Sequence, residues 1–152
     1  MTLGIRPATP ADLNAAIELL QGSGLPVEDL SAERLALIAE IDQIFQGVIG
    51  VELFGETALL RSLAVASGAR GAGIGAALVT ALEAACMTDG VDELWLLTID
   101  ADAFFVSLGY ETRERSEAPE AIRNTEEFRG LCPGDAVLMS KNLRETSLSV
   151  CH

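Results

Sequence analysis

The chain is poor in lysine: Lys141 is the only one in 152 residues, and the other basic side chains are arginines. Histidine and tyrosine are as scarce, with His152 and Tyr110 the single examples of each. The shortage of lysine leaves carboxylates unmatched. Against 10 basic residues stand 23 acidic ones, for a net charge of −13. Such a polyanion is repelled by phosphate backbones, which excludes nucleic acid as a partner. Long apolar runs are also missing. None reaches the roughly 18 residues of a membrane span, so no membrane partner is expected. The first residues, MTLGIRPATPADL, lack the basic-then-apolar pattern of a secretory signal, and a cytoplasmic location is the expectation. Cysteines are few, odd in number and widely spaced. Cys86, Cys132 and Cys151 therefore read as reduced thiols, with neither a disulfide frame nor a metal site expected. Repeats and low-complexity segments are absent.

What is present is enough apolar residue for a core, 49%, in a length that fits one domain. That domain is expected over residues 1–143, with 144–152 a disordered tail. Leu3 to Thr9 alternates as an edge strand does. Thr9 is then placed to cap a helix, with Pro10 at its first position and Leu13, Ile17 and Leu20 on one face, running to about Gln21. GSGLP, from Gly22, breaks it. Glu28 to Ile38 predicts a second, shorter helix. Ile44 to Phe54 predicts strand, with Gly47 at a hairpin turn or bulge. FGET turns the chain into an apolar strand from Ala58 to Val65. A helix to about Met87, the loop TDGVDE, a buried strand from Leu94 to Ile99, a short helix from Ala101 to Leu108 and a strand from Gly109 come next. Arg113 to Leu131 is a polar excursion, and Ala136 to Leu143 closes the sheet. This order predicts an α/β fold with a mixed sheet, not a doubly wound one.

RGAGIGAAL, Arg70 to Leu78, crowds glycines before a helix and raises the question of phosphate. A Walker loop fails, because Ile74 stands where its lysine must be. A dinucleotide fingerprint on Gly71, Gly73 and Ala76 fails on context. Ala66 to Arg70 separate it from the preceding strand, and too few βα units come after it. The third reading is Arg-x-x-Gly-x-Gly, on Arg70, Gly73 and Gly75. Glycines there allow close backbone approach, and the helix start beyond them attracts an anion.

This third pattern resembles the acetyl-CoA motif of the GNAT N-acetyltransferases. LLRSLAV is similar to the family's fourth strand and GIGAALVTALEAA to its third helix. LWLLTIDADAFFVSLGY is similar to its fifth strand, fourth helix and sixth strand. Thr98 stands at the family's Asn, Phe104 at its Phe, Phe105 at its Tyr, and Gly109-Tyr110 at its Gly-Phe. Within the family the likeness is to the N-acetyltransferases of arsenic-resistance operons. It rests on LP-x-EDL (Leu25 to Leu30), LLRSLAV, LLT-x-x-A-x-x-FF (Leu96 to Phe105), R-x-x-AP-x-x-I (Arg115 to Ile122) and EF-x-x-LCP (Glu127 to Pro133).

The resemblance implies a splayed mixed sheet flanked by helices, acetyl-CoA as co-substrate, and direct attack by an amine without an acyl-enzyme. It implies a pyrophosphate cradle at Arg70, Gly71, Ala72, Gly73, Ile74, Gly75 and Ala76. It also implies a thioester-oxygen site on the backbone of Leu63, Ala64 and Val65, and coenzyme contacts at Thr98, Phe104 and Phe105. A homodimer is compatible with it. Phe105 cannot donate a proton as the family tyrosine does. A thiolate of pKa about 8.5 can leave with help from water. Glu52 interrupts the apolar run VIGVELF and is the candidate base. Its alternative role is a solvated edge carboxylate. Arg61 interrupts the buried strand ALLRSLAV, and a buried arginine must meet an anion. It is expected to bind the acceptor, or else to pair internally with Glu52. Arg113 and Arg115 can supplement it, or can form surface pairs with neighbouring glutamates.

The arsenic-operon likeness implies a small amine acceptor that is amino-acid-like and anionic, bearing an arsinate, phosphinate or carboxylate. Two other classes stay open. One is a protein N-terminal acetyltransferase, whose basic substrates would suit an acidic surface. The other is a non-catalytic acyl-CoA-binding module, suggested by the missing tyrosine.

An acid-rich, lysine-poor surface also fits a protein built for high salt, where self-repulsion is screened. The expected signature is a melting temperature that rises from low to molar KCl. A value unchanged across that range would assign the acidity to ordinary solubility.

Overall fold

The structure, a computed structural model, describes residues 3–24, 34–69, 73–125, 128–129 and 136–144. In chain order the elements are β1 (Leu3–Pro7), α1 (Leu13–Gly22), β2 (Leu35–Ile41), β3 (Ile44–Phe54), β4 (Thr57–Val65), α2 (Ile74–Thr88), β5 (Glu93–Thr98), α3 (Asp102–Ser107), β6 (Glu111–Arg113), α4 (Glu120–Arg123) and β7 (Val137–Asn142). Seven strands make a sheet in the order β1-β2-β3-β4-β5-β7-β6. β4 and β5 are parallel, while β1–β2, β2–β3, β5–β7 and β6–β7 are antiparallel. The sheet is therefore mixed, as the order of elements predicted. No helix among the described residues is long and apolar enough to cross a membrane.

By its contacts the chain resolves into two compact units, Met1–Val51 with Arg61–Ala84, and Glu52–Leu60 with Ala85–His152. The first has a core of Ala16 and Leu20 from α1, Leu35 and Ile38 from β2, Val48 from β3 and Ala64 from β4. The second packs Leu59 of β4 and Trp95 of β5 against Leu138 of β7, with Ala118 and Ile122. Each large aliphatic side chain fully buried here contributes about 2 kcal/mol. The stretch from Arg113 onward, read as a polar excursion, thus supplies Ala118 and the fully buried Ile122 to a core.

Three details depart from the sequence reading. The helix expected from Glu28 to Ile38 is not seen where its end is described, since Leu35–Ile41 is β2. Its leading residues, through 33, lie outside the described residues. LALIAEI has helix-forming composition, but pairing with β1 and β3 on both sides overrides that preference. The hairpin turn falls at Asp42 and Gln43, both left-handed (φ 51° and 70°), and not at Gly47. A bulge does occur beside Gly47: Ala39 pairs with Gly47 and Glu40 with Phe45, so Gln46 is the extra residue. Finally, β7 lies inside the sheet between β5 and β6, so the short β6 forms that edge.

The start of the first unit is tied by ions. Thr9 takes the cap position before the turn Pro10–Asp12, as expected, and the Asp12 carboxylate reaches back to accept the Thr9 N–H (2.8 Å). Arg6 meets the same carboxylate with two nitrogens, at 2.9 and 2.8 Å, and its Nε lies 3.2 Å from Glu40. The Arg6 hydrogen bonds, assisted by those from Thr9 and opposed by burial, hold Asp12 well below the usual carboxylate range. Its ionised form therefore stabilises the fold above the unfolded value of about 3.9, and that contribution is lost as pH falls below it. Asp12→Asn should lower stability at neutral pH by about 2 kcal/mol. In urea melts at a series of pH values, the gap to the parent chain should stay constant above about pH 4 and narrow below it.

Candidate active site

The glycine stretch connects β4 to α2. After Val65 a turn at Ser67–Ala69 closes with the Ala69 N–H donating to the Ala66 carbonyl (2.9 Å). Arg70, Gly71 and Ala72, expected in the cradle, lie outside the described residues. Gly73 has φ +78°, left-handed backbone that costs other residues about 1–2 kcal/mol. Its carbonyl accepts the Ala77 N–H (3.0 Å), which makes Gly73 the cap of α2. The amides of Ile74, Gly75 and Ala76 are then the leading N–H groups of a 15-residue helix. No earlier helical carbonyl stands to receive them, and the helix dipole adds positive potential. This is an anion-binding geometry.

Gly47 explains how the helix start comes so near the sheet. A Cβ there would stand 3.4 Å from Ile74 Cγ2 and 3.2 Å from both Leu78 Cδ1 and the Ala64 carbonyl. The glycine is thus needed for close approach of α2, a role invisible in the sequence. The expected oxygen-site residues lie further along β4, with Ala64 buried in the first core and Leu63 and Val65 half-buried.

One functional candidate escaped the sequence reading. Ser62, inside β4, has φ +58°. Asp42 and Gln43 share that sign of φ but form a hairpin turn, whereas Ser62 has no turn to justify it. Backbone of this kind costs about 1–3 kcal/mol and persists only where its surroundings enforce it. Arg61 next to it is 2% exposed and donates from Nε to the Ser62 hydroxyl (3.1 Å). The one signal in the sequence was two adjacent polar residues in an apolar strand, where alternation allows only one on each face.

The remaining candidates belong to the second unit. Thr98 accepts the Ala101 N–H (3.1 Å) on Oγ1 and so fixes the entry to α3. The exit is a Schellman turn: Tyr110 N–H donates to Phe105 C=O and Gly109 N–H to Val106 C=O, each at 3.0 Å, with Gly109 at φ +97°. The Phe105 and Tyr110 rings meet edge-on at 5.5 Å, the apolar contact that accompanies this motif. Phe105 is 4% exposed, so its ring serves helix packing; Phe104, edge-on to it, is half-buried. Lys141 Nζ donates to the Leu108 carbonyl (2.8 Å) and lies 5.6 Å from the centre of the Tyr110 ring. Glu52 is half-buried near the end of β3. Arg113 donates from Nε to Ser140 Oγ (2.9 Å) and stands 3.5 Å from both Glu111 and Glu117. Arg115 donates to the Ala136 carbonyl (3.1 Å) and stacks over Phe128 at 5.3 Å. The structure therefore groups Arg61, Leu63–Val65 and Gly73–Ala76 in one unit, and Glu52, Thr98, Phe104, Phe105, Arg113 and Arg115 in the other.

Comparison with known proteins gives the fold and the family. A family model described as acetyltransferase (GNAT) domain matches residues 32–112, more than half of the 152. No curated protein matches the sequence. Among solved structures, N-acetylglutamate synthase from Neisseria gonorrhoeae, complexed with coenzyme A and N-acetyl-glutamate, superposes with TM-score 0.80 at 20% identity, covering 94% of this chain and 35% of its own. The chain thus spans about a third of that enzyme's length. PaiA N-acetyltransferase from Thermoplasma acidophilum, in complex with coenzyme A, gives 0.70 at 18%, covering 93% and 99%. The ribosomal-protein-S18-alanine N-acetyltransferase from Escherichia coli gives 0.68 at 19%, covering 93% and 94%. At such identities the superpositions speak for the fold, and the family match reaches further: the chain belongs to the GNAT acetyltransferase family.

Proposed function

We propose that the chain transfers the acetyl group of acetyl-CoA directly to the amine of a small, amino-acid-like anionic acceptor. Arsinothricin- or phosphinothricin-like compounds and glutamate analogues are the class meant. The observation that carries the donor half is the glycine-capped start of α2, whose leading amides suit a pyrophosphate. The amine lone pair attacks the thioester carbonyl carbon. As the C–N bond forms, the oxygen gathers negative charge, which backbone N–H groups of Leu63–Val65 stabilise. The C–S bond then breaks and the thiolate departs, taking a proton from water. The amine's proton goes to Glu52, directly or through water.

An anionic acceptor is supported by Arg113. Its contacts with Glu111 and Glu117 are long, at 3.5 Å, and those glutamates are well exposed. Exposed pairs of that kind are worth at most about 1 kcal/mol, so an acceptor carboxylate, phosphinate or arsinate can replace them. The gonococcal synthase, complexed with N-acetyl-glutamate, gives a precedent for a glutamate-like ligand on this fold. The net charge of −13 favours a second reading, acetylation of a basic protein N-terminus, for which the S18-alanine enzyme is the structural parallel.

Thiol release from acetyl-CoA against glutamate, phosphinothricin, arsinothricin, polyamines and basic peptides separates these readings. Turnover is expected on the anionic amino acids. Activity confined to polyamines would refute the anionic acceptor, activity confined to peptides would favour the second reading, and coenzyme binding without turnover would mark a non-catalytic module.

Two variants test the roles. Gly73→Ala should raise KM for acetyl-CoA about tenfold, the scale of the left-handed backbone penalty, with kcat little changed. Glu52→Gln should lower kcat by about 10²-fold or more at neutral pH; an unchanged kcat would give the proton to water alone.

A further inference from the structure

We propose that Arg61 is a positioning residue that works through Ser62. Its buried guanidinium donates Nε–H to Ser62 Oγ, holds Ser62 left-handed within β4, and thereby sets the direction of the Leu63–Val65 amides that receive the thioester oxygen. The proposal rests on the acetyltransferase reading for its last step only.

Three observations in one unit carry it. The first is the left-handed serine itself, φ +58° in the middle of a nine-residue strand. Any structure that keeps such a residue must compensate it, and positions of this kind gather at functional sites. The second is the compensation. Arg61 is 2% exposed and its Nε lies 3.1 Å from Ser62 Oγ, a bond strengthened by the cation's charge. A cation closed off in this way is poorly placed to touch an acceptor. Burying it is unfavourable unless its donors are used, and one of them is used on the strained residue. The third is Gly50. A Cβ at that position would lie 2.5 Å from the Arg34 carbonyl and 3.4 Å from both the Arg61 carbonyl and Ser62 Cβ. The backbone around the left-handed residue is therefore packed against a residue that has no side chain. A lone left-handed residue in a strand turns the peptides beyond it, as a bulge does. Those peptides belong to Leu63, Ala64 and Val65, and after them the Ala66 N–H donates to the Gln46 carbonyl (2.7 Å).

A glycine adopts the left-handed conformation without help, which gives the test its form. Arg61→Met, Ser62→Ala, Ser62→Gly and the double variant Arg61→Met with Ser62→Gly are compared in acetyl-CoA turnover and in thermal melts. Arg61→Met and Ser62→Ala should each lower kcat by about 10²-fold, the effect of a small misplacement, with KM for the acceptor within about twofold of the parent. Arg61→Lys should not rescue, because lysine has no Nε–H fork. In the Ser62→Gly background the loss caused by Arg61→Met should shrink to about threefold, a coupling that also appears in the melts. An Arg61 effect equal in both backgrounds would overturn the lock, as would one confined to KM for the acceptor, which would make Arg61 a substrate ligand. If Arg61→Met does not fold, the decision falls to Ser62→Ala, and parent-like kcat there overturns the proposal. Absence of parent turnover on every amine would sink the acetyltransferase reading and the role of 63–65 with it. The lock is then read from the melts, where additivity of the two substitutions would overturn it.

Discussion

β4 has to serve two cores at once, and its middle residues are polar. Leu59 packs with Trp95 and Leu138, Ala64 packs with Leu20 and Val48, and Arg61 and Ser62 stand between them with almost no exposure. An uninterrupted apolar strand would satisfy both cores more simply. Here the strand instead carries a cation and a left-handed residue, and the two are bonded to each other. β4 pairs with β5 from Thr57 to Leu59, and Leu59 stands two residues before Arg61. Beyond the break lie the segment read as the oxygen site, then the turn, then the capped start of α2. Each of these follows Ser62 along the chain.

Scarcity of cations shapes the rest of the electrostatics. Arg6 lies in a bidentate pair with Asp12, Arg61 on Ser62, Arg113 on Ser140 and Arg115 on a backbone carbonyl with an aromatic ring beneath it. Arg6 uses its planar fork and Arg115 its flat face, as lysine cannot, and Arg61 and Arg113 each donate from Nε. The arginine bias of the sequence is thus matched by the geometry of these sites. With these cations turned to internal partners, the excess of carboxylates is left to the surface.

The features legible in the sequence were those set by local chemistry. Glycine before an apolar helix, Thr9-Pro10 at a helix start, and Gly109 after α3 each report a backbone need that their own neighbours create. The unreadable ones were set by distant partners. Leu35 to Ile41 has residues that suit a helix, and only the flanking strands make it β2. Gly47 reads as a turn or a bulge, and a bulge does lie beside it, but the approach of Ile74 and Leu78 cannot be seen from its neighbours. Gly50 drew no attention, although the Arg34 carbonyl leaves it no room for a side chain. Arg61 reads as a buried cation meant for the acceptor or for Glu52, and the bond from its Nε to the adjacent Ser62 is not foreseeable from the sequence. The tyrosine missing at Phe105 also changes meaning, because that position pairs with Tyr110 to finish a helix.

The only lysine of the chain has its Nζ on the Leu108 carbonyl and its stem against Gly109, where a Cβ would come within 3.3 Å of Lys141 Cε. Amine acetylation needs an unprotonated nitrogen with its lone pair open to attack. The nitrogen of this lysine is already engaged, as a donor to that carbonyl and above the Tyr110 ring. With its one lysine so engaged, the chain leaves a thioester almost no side-chain amine of its own to modify.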